Sequence, residues 1–183
     1  MLATRLPRSR GVTLLEMMIT LAVSAVLLGL AVPSFAGMWL DSQRAVAVNA
    51  LIHGIFLART TAVVRKHVVS ICRSSDGQTC SNQFEDWQHG WIVFVNHDRD
   101  DPPVRDPGEP VLAVQAPWKE GTITSNRRAY SFRSFRHRVV NGTLVFCDRR
   151  GSAQARAIII NSAGRPRVSK RDSDNRPLRC PSG

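Results

Sequence analysis

Two arginines near the end of the chain have the spacing of a phosphate-binding pair. They lie in Gly164-Arg165-Pro166-Arg167, shortly after an apolar run of three isoleucines. Glycine permits a turn at the end of a strand, and proline favours an extended conformation for the residue before it. Arg165 and Arg167 would then point to one side, about 6.6 Å apart along the chain. Guanidinium groups bind phosphate in a bidentate manner. We therefore predict a polyanion contact here, with Lys170, Arg171, Arg176 and Arg179 following downstream.

The positive charge of the chain is concentrated in its last third. The 183 residues carry a formal net charge of +11. Residues 127–183 contain 14 Lys and Arg against 3 Asp and Glu, whereas residues 12–126 contain 8 against 11. Of the 14 cations, 13 are arginine, a residue suited to planar contacts with phosphate. This asymmetry favours a polyanionic partner for the basic C-terminal region 127–183.

A second basic stretch interleaves arginines with aromatic residues. Arg127 and Arg128 precede Tyr130 and Phe132, and the three arginines Arg133, Arg136 and Arg138 follow them. Exposed aromatic rings would stack on the bases of single-stranded nucleic acid. The period of two instead favours Tyr130 and Phe132 as core residues, with arginines facing water. We expect the three arginines to make secondary phosphate contacts.

No arrangement of residues indicates catalysis. The 5 histidines are scattered, without the order of a Ser-His-Asp triad or the spacing of a zinc site. Asn96, Asp98 and Asp100 have the spacing that begins a calcium loop, but the glycine and glutamate that complete such a loop are missing. We expect a protein that is not an enzyme and that has no cofactor and no metal site.

An apolar segment near the N-terminus is long enough to cross a membrane. Residues 17–40 contain no charged side chain, and a spanning helix needs about 20 apolar residues. The basic leader before it is expected to stay in the cytoplasm. Glu16 lies at the edge of the apolar segment, where an unpaired acid costs roughly 2.5 kcal/mol or more. We therefore assign Glu16 a function, with a plain signal anchor as the alternative reading of the segment.

The remaining chain predicts an α+β domain. In residues 41–67, apolar residues recur every three or four positions, which predicts an amphipathic helix docked on the domain. Its polar residues Arg44, Asn49, His53 and Lys66 are expected to lie off the apolar stripe. After His67 the period falls to two, which predicts a mostly antiparallel sheet with strands at 68–72, 91–95, 111–114, 129–132, 144–147 and 156–160. Trp87 and Trp91 are expected to pack in the core or at its rim.

Four cysteines follow the apolar segment. An even number of cysteines in a domain beyond a membrane favours disulfides, with three possible pairings. We predict the economical set, Cys72–Cys80 and Cys147–Cys180. Zinc is the alternative, although no Cys-x-x-Cys spacing supports it. The second bridge would tie the basic tail to the core and reduce the entropy lost on binding.

The segment Gly11-Val12-Thr13-Leu14-Leu15-Glu16 resembles the type IV prepilin motif. The resemblance implies that a prepilin peptidase cuts after Gly11 and methylates Val12, which stands where the family usually has Phe. It also implies that Glu16 neutralises the terminal amine of a neighbouring subunit in the filament. The expected domains are a leader at 1–11, a transmembrane and filament-core helix at 12–40 with a kink at Pro33, and a periplasmic globular domain at 41–183.

Segments 87–94, 108–112, 142–147 and 158–167, taken in order, resemble the GspH/FimT branch of pseudopilins and minor pilins. In FimT-like members, a Gly-Arg-x-Arg element similar to Gly164–Arg167 is associated with DNA binding. The resemblance implies a pilin-like fold, other pilin subunits as partners, and a location in the bacterial inner membrane and in the pilus filament at the cell surface. We expect a minor pilin that binds extracellular DNA, without sequence specificity, for uptake in natural transformation. The alternative is a structural GspH-like pseudopilin of type II secretion, or an assembly-priming minor pilin, without DNA binding.

Overall fold

A computed structural model describes residues 11–81, 86–134 and 141–181, and within these ranges the side chains of residues 30–34 are not described. The chain divides into two compact units, Met1–Asp41 and Ser42–Gly183. Helix α1, Leu14–Arg65, contributes residues to both units. Pro33 lies inside the bounds of α1 but among the side chains that are not described, so the kink at Pro33 stays a prediction.

Thr13 caps the start of α1 in the first unit. Its hydroxyl oxygen accepts a hydrogen bond from the backbone N–H of Glu16 at 3.3 Å. This bond satisfies one of the N–H groups that the first turn of a helix leaves without an intrahelical partner. Thr13 and Glu16 have the Thr-x-x-Glu spacing of a capping box, and an acid in the first turn is favoured by the helix dipole. Glu16 therefore has a place at the helix start besides the role expected in the filament.

The apolar surface of α1 differs in kind along its length. From Gly11 to Gly29 every side chain is exposed, and most are apolar. By length and composition, Phe35–Arg65 qualifies as a membrane span within the described residues, whereas Leu14–Gly29 is a shorter apolar helix. Phe35–Arg65 buries Leu51, Ile55 and Ala58 in the protein core, and a core helix can have the same length and apolar composition as a membrane span. The membrane span expected at 17–40 includes the residues without described side chains and stays a prediction.

The second unit contains two four-stranded antiparallel sheets, counted over the described residues. In chain order the strands are β1 Val68–Arg73, β2 Trp91–Asn96, β3 Val111–Gln115, β4 Gly121–Ser125, β5 Ala129–Phe132, β6 Gly142–Asp148, β7 Arg156–Ile160 and β8 Pro166–Ser169. Sheet A has the order β3-β2-β1-β5, and sheet B has the order β4-β6-β7-β8. Short 3-10 turns lie at Trp87–His89 and Ser152–Gln154.

The predicted α+β class is confirmed, and the six predicted strands are all present. The sequence gives no clear signal for the other two, β4 and β8. Strand β4 is a short run of threonines around Ile123. Strand β8 has 4 residues and begins with Pro166, which cannot donate a ladder hydrogen bond. A strand with proline is restricted to positions such as a sheet edge, and β8 is the edge strand of sheet B.

The core lies between the second part of α1 and both sheets. Leu51, Ile55, Ala58 and Ala62 of α1 are buried against the inner faces of the sheets, which confirms the predicted stripe. Trp87 and Trp91 are 2% and 5% exposed, which confirms them as core residues. Helix and sheet approach closely at Gly54, where a Cβ would lie 2.6 Å from the Trp91 ring.

Arg44 does not lie off the stripe, and that prediction is wrong. The side chain is buried, and its Nη1 donates to Oδ2 of Asp148 at 2.8 Å. Arg150 donates to the same carboxylate from Nη2 at 2.7 Å and from Nε at 3.1 Å. The hydrogen bonds from Arg150 lower the pKa of Asp148, and they outweigh burial, which acts in the opposite direction. The charge of Arg44 can therefore be buried on the apolar stripe because the carboxylate of Asp148, in β6, neutralises it.

We predict that Arg44→Met destabilises a fragment that starts at Asp41 by about 2 kcal/mol. Removing one partner from a buried pair costs about 3–5 kcal/mol, and Arg150 remains to compensate part of that cost. Urea denaturation at pH 7 measures the change. The exposed Arg65→Met is the matched control and should be close to wild type. A stability of Arg44→Met equal to that of the control would show that the ion pair contributes nothing net.

The lowered pKa of Asp148 predicts an acid-dependent loss of stability. Because the folded state holds the carboxylate ionised, its contribution is fully present above about pH 5 and is lost as the pH falls below about 4. Asp148→Asn removes this contribution at every pH. The difference in unfolding free energy between wild type and Asp148→Asn should therefore be larger at pH 7 than at pH 3. A constant difference across this range contradicts the assignment.

Candidate nucleic-acid interface

The predicted phosphate contact lies on a β-hairpin. Strands β7 and β8 pair with Ile160 opposite Pro166 and Ile159 opposite Arg167. The turn between them is closed by two backbone hydrogen bonds, from Gly164 N to Asn161 O at 2.8 Å and from Asn161 N to Arg165 O at 3.2 Å. Gly164 has a φ of 71°, in the left-handed region that favours glycine. The glycine of the Gly-Arg-x-Arg element is thus a requirement of the turn.

The side chain of Asn161 fixes the backbone that carries Arg165. Its Oδ1 accepts hydrogen bonds from the backbone N–H groups of Ala163 at 3.0 Å and Arg165 at 2.9 Å. Asparagine commonly stabilises turns in this way. The sequence indicates Gly164 as the turn residue but misses Asn161. An asparagine directly after an apolar strand is the signal that could have found it.

Arg165 and Arg167 are both exposed, but they occupy different local structures. Arg165 ends the turn, whereas Arg167 lies within β8. Residues directly opposite in an antiparallel pair share a face of the sheet. Arg167 therefore lies on the face of Ile159, which packs with Leu178 on the side of sheet B away from the core. The extended conformation predicted for the segment Arg165–Arg167 is observed for Pro166 and Arg167, which belong to β8.

Lys170 and Arg171 lie at the opposite end of β8 from Arg165. Five residues of extended chain separate Arg165 from Lys170, a distance of about 17 Å. Lys170 is exposed. The Nη1 of Arg171 donates to Asn175 O at 2.9 Å, so part of this guanidinium supports the tail. The hairpin therefore spreads its cations along one sheet edge.

The basic tail is fastened to the outer face of sheet B. The structure contains both predicted bridges: Cys147–Cys180, with a Cα–Cα distance of 5.8 Å, and Cys72–Cys80, with 5.5 Å. Leu178 packs against Cys147 and Ile159, and Cys180 N donates to Oγ of Ser152 at 3.0 Å. Arg176 and Arg179 are exposed, and they border a shallow depression of about 340 Å³ with Val145 and Leu178. These contacts hold the backbone of the tail in place, so Arg176 and Arg179 are exposed on an ordered segment.

A second basic turn lies at the same end of sheet B as Arg165. Gly142, the first residue of β6, pairs with Ile160, the last residue of β7. Close to it, Nε of Arg127 donates to Asn141 O at 3.4 Å. Arg127 and Arg128, which connect β4 and β5, are both exposed. The topology therefore brings the β4–β5 turn and the β7–β8 turn to one end of the sheet.

The aromatic residues of the second basic stretch belong to the core. Tyr130 and Phe132 are each 1% exposed, which confirms the core interpretation and leaves no ring surface for stacking on bases. Burial raises the pKa of Tyr130 to about 12. Arg133 is half-buried. Arg136 and Arg138 lie outside the described residues, so their predicted phosphate contacts are not located.

The acidic loop after β2 uses its carboxylates internally. Asp100 accepts hydrogen bonds from Nδ2 of Asn96 at 2.8 Å and from the backbone N–H of Val104 at 2.7 Å. Burial raises the pKa of Asp100. No group of three or more His, Cys, Asp or Glu side chains within the described ranges is arranged to hold a metal ion. The carboxylate of Asp100 therefore stabilises the conformation of the loop by hydrogen bonds within it.

Comparison with known families gives two matches. Residues 47–164 match the model described as type II transport protein GspH, and residues 6–32 match the prokaryotic N-terminal methylation motif. The methylation motif implies processing by a prepilin peptidase and assembly with other pilin subunits. The GspH match ends at Gly164, so Arg165, Arg167 and the tail lie beyond it. None of the curated proteins compared with the chain matches it.

Among solved structures, the chain is similar to the type IV minor pilin FimU of Pseudomonas aeruginosa PAO1 in two crystal forms. In space group P65 the TM-score is 0.52 at 18% identity, over 76% of this chain and 98% of the FimU chain. In space group P21 the TM-score is 0.50 at 19% identity, over 77% and 94%. These values show a shared fold. Because the GspH model covers more than half of the sequence and follows a methylation motif, the chain belongs to the GspH/FimT family of type IV pilin-like proteins.

Proposed function

We propose that this pilin-like protein binds DNA without sequence specificity, through the exposed arginines of the β7–β8 hairpin, and captures it for uptake in natural transformation. The observation that carries the proposal is the pair Arg165 and Arg167. Both side chains are exposed, and the turn before them is fixed by Asn161. A guanidinium on an ordered backbone loses less entropy on contact with phosphate than one on a loose tail.

The surroundings of the hairpin support a phosphate-binding role. Arg127 and Arg128 lie at the same end of sheet B, while the exposed Lys170, Arg176 and Arg179 lie after β8 and in the tail. Cations spaced over this surface contact successive phosphates of a nucleic acid backbone, and such contacts position the protein without reading the bases. The buried Tyr130 and Phe132 add no base stacking. The expected binding is therefore electrostatic and strongly dependent on salt.

The N-terminal segment carries the second part of the proposal. A prepilin peptidase cleaves after Gly11, Val12 becomes the methylated first residue, and residues 12–40 hold the protein in the inner membrane before assembly. Glu16 then neutralises the terminal amine of a neighbouring subunit in the filament. This assignment is supported by the match to the methylation motif and by the exposed apolar surface of Leu14–Gly29. An acid that lies at the edge of lipid needs such a cationic partner.

We predict that a fragment starting at Asp41 shifts duplex DNA on a gel at low salt, and that Arg165→Gln with Arg167→Gln abolishes most of the shift. Each lost phosphate contact should reduce the slope of log K against log salt by about 1, so the double variant should lose about 2. Arg65→Gln with Lys119→Gln is the matched control, because it removes the same charge from exposed residues elsewhere.

Three results of the gel experiment separate the candidate functions. Retention of binding in the control and its loss in the hairpin variant support the proposal. Equal losses in both variants would indicate binding by net charge alone. A wild-type fragment that leaves DNA unshifted contradicts DNA binding and favours the structural alternative, a pseudopilin or an assembly-priming minor pilin.

Preorganisation of the turn predicts a separate effect for Asn161→Ala. The variant keeps every arginine but loses the two hydrogen bonds to the turn, which should destabilise the fragment by about 1 kcal/mol. Looser placement of Arg165 should weaken DNA binding by up to about fivefold, the factor that corresponds to 1 kcal/mol. Fluorescence anisotropy with labelled duplex measures the affinity. Ser162→Ala in the same turn is the control, and equal affinities of the two variants contradict a role for Asn161.

A further inference from the structure

Two histidines face each other across the end of sheet A. Strands β1 and β2 pair with Val68 opposite Asn96 at the end of the ladder. One step further, His67 and His97 stand at opposing positions, and both are exposed. Their ring centroids are 5.1 Å apart, and the ring planes make an angle of 79°. In the sequence these residues are thirty positions apart, so the spacing of the histidines gives no sign of the pair.

The separation of the two rings matches that of two imidazoles bound to one metal ion. A zinc–nitrogen bond of 2.0–2.1 Å places the ion about 3.2 Å from the centre of each ring. Two such rings at a tetrahedral angle around the ion have centres about 5.2 Å apart. The observed 5.1 Å agrees with this value.

The backbone holds both positions in place. The N–H of His97 donates to Oε1 of Glu109 at 2.6 Å, and Oε2 of Glu109 also accepts from Asp106 N at 3.1 Å. His67 comes two residues after the end of α1 at Arg65. The negative end of a helix dipole favours a cation nearby. The pair is flanked in the sequence by the cations Arg65, Lys66 and Arg99 and by the acid Asp98, and the acid Glu109 bonds the backbone of His97. The cations disfavour a bound metal ion, whereas the acids favour it.

We propose that His67 and His97 form a binding site for a divalent transition metal ion of the zinc, copper or nickel class. Imidazole nitrogen suits these ions better than magnesium or calcium, which prefer oxygen. Within the part of the chain that the structure describes, no third His, Cys, Asp or Glu joins a group of this kind. The pair supplies two ligands, and water completes the coordination. The site lies on sheet A, whereas the hairpin of the proposed DNA contact lies on sheet B, so the two proposals stand independently.

Copper binding to the full chain in detergent micelles tests the site. Titration calorimetry with Cu²⁺ gives the affinity, and the nitrogen splitting in the electron paramagnetic resonance spectrum counts the bound imidazoles. We expect two nitrogens in wild type and one in His67→Asn or His97→Asn, with affinity lower by about tenfold or more. His53→Asn and His89→Asn are the controls, since both residues are exposed and lie elsewhere.

The outcomes decide the proposal in either direction. A tenfold loss in each pair variant, with two nitrogens retained in both controls, supports the site. Wild type that binds no Cu²⁺, or that binds it as tightly as His67→Asn and His97→Asn do, overturns it. A control variant that loses as much affinity as the pair variants also overturns it. Thermal unfolding of every variant verifies that the fold is intact.

Discussion

The buried carboxylate of Asp148 is the constraint on which the second unit depends. It accepts hydrogen bonds from Arg44 of α1 and from Arg150 just after β6, and its side chain has no exposed surface. A charge in this position is tolerated only when opposite charges satisfy it. The pairing therefore fixes α1 against the end of β6, the second strand of sheet B. Strands β7 and β8, which form the hairpin with Arg165, follow β6 in that sheet.

Each sheet packs one face on the core, so the apolar side chains on its outer face need another segment of the chain to cover them. Each face is covered by a segment that a disulfide ties down. Cys72 and Cys80 pack with Ile92 and Phe94 outside sheet A. Cys147 packs with Ile159 and Leu178 outside sheet B. In the chain-entropy account, a bridge over a longer loop restricts the unfolded chain more, and the second bridge spans 33 residues against 8 for the first.

Sequence patterns predicted the elements with strong local signals and missed those whose stability comes from distant partners. The helical stripe and six strands follow from periodicity, and the two disulfides are the economical pairing among the three that four cysteines allow. Strand β8 exists because its neighbour β7 offers a ladder and an edge tolerates Pro166. The burial of Arg44 depends on Asp148, 104 positions away in the chain. At the candidate site, glycine and arginine indicated the turn and its charge, whereas the role of Asn161 required the actual hydrogen bonds.

Folding explains only part of the arginine in the last third, since Arg150 bonds the buried Asp148 and Arg171 supports the tail. Exposed ion pairs contribute about 0–1 kcal/mol each, and the exposed pair of Arg176 with Asp174 has a distance of 3.7 Å. Like charges on one surface repel each other and oppose the compact state. The side chains of Arg165 and Arg167 are both exposed. The GspH match ends at Gly164, before both arginines. A polyanion that contacts this surface would remove the repulsion, and this is the physical argument for the proposed binding role.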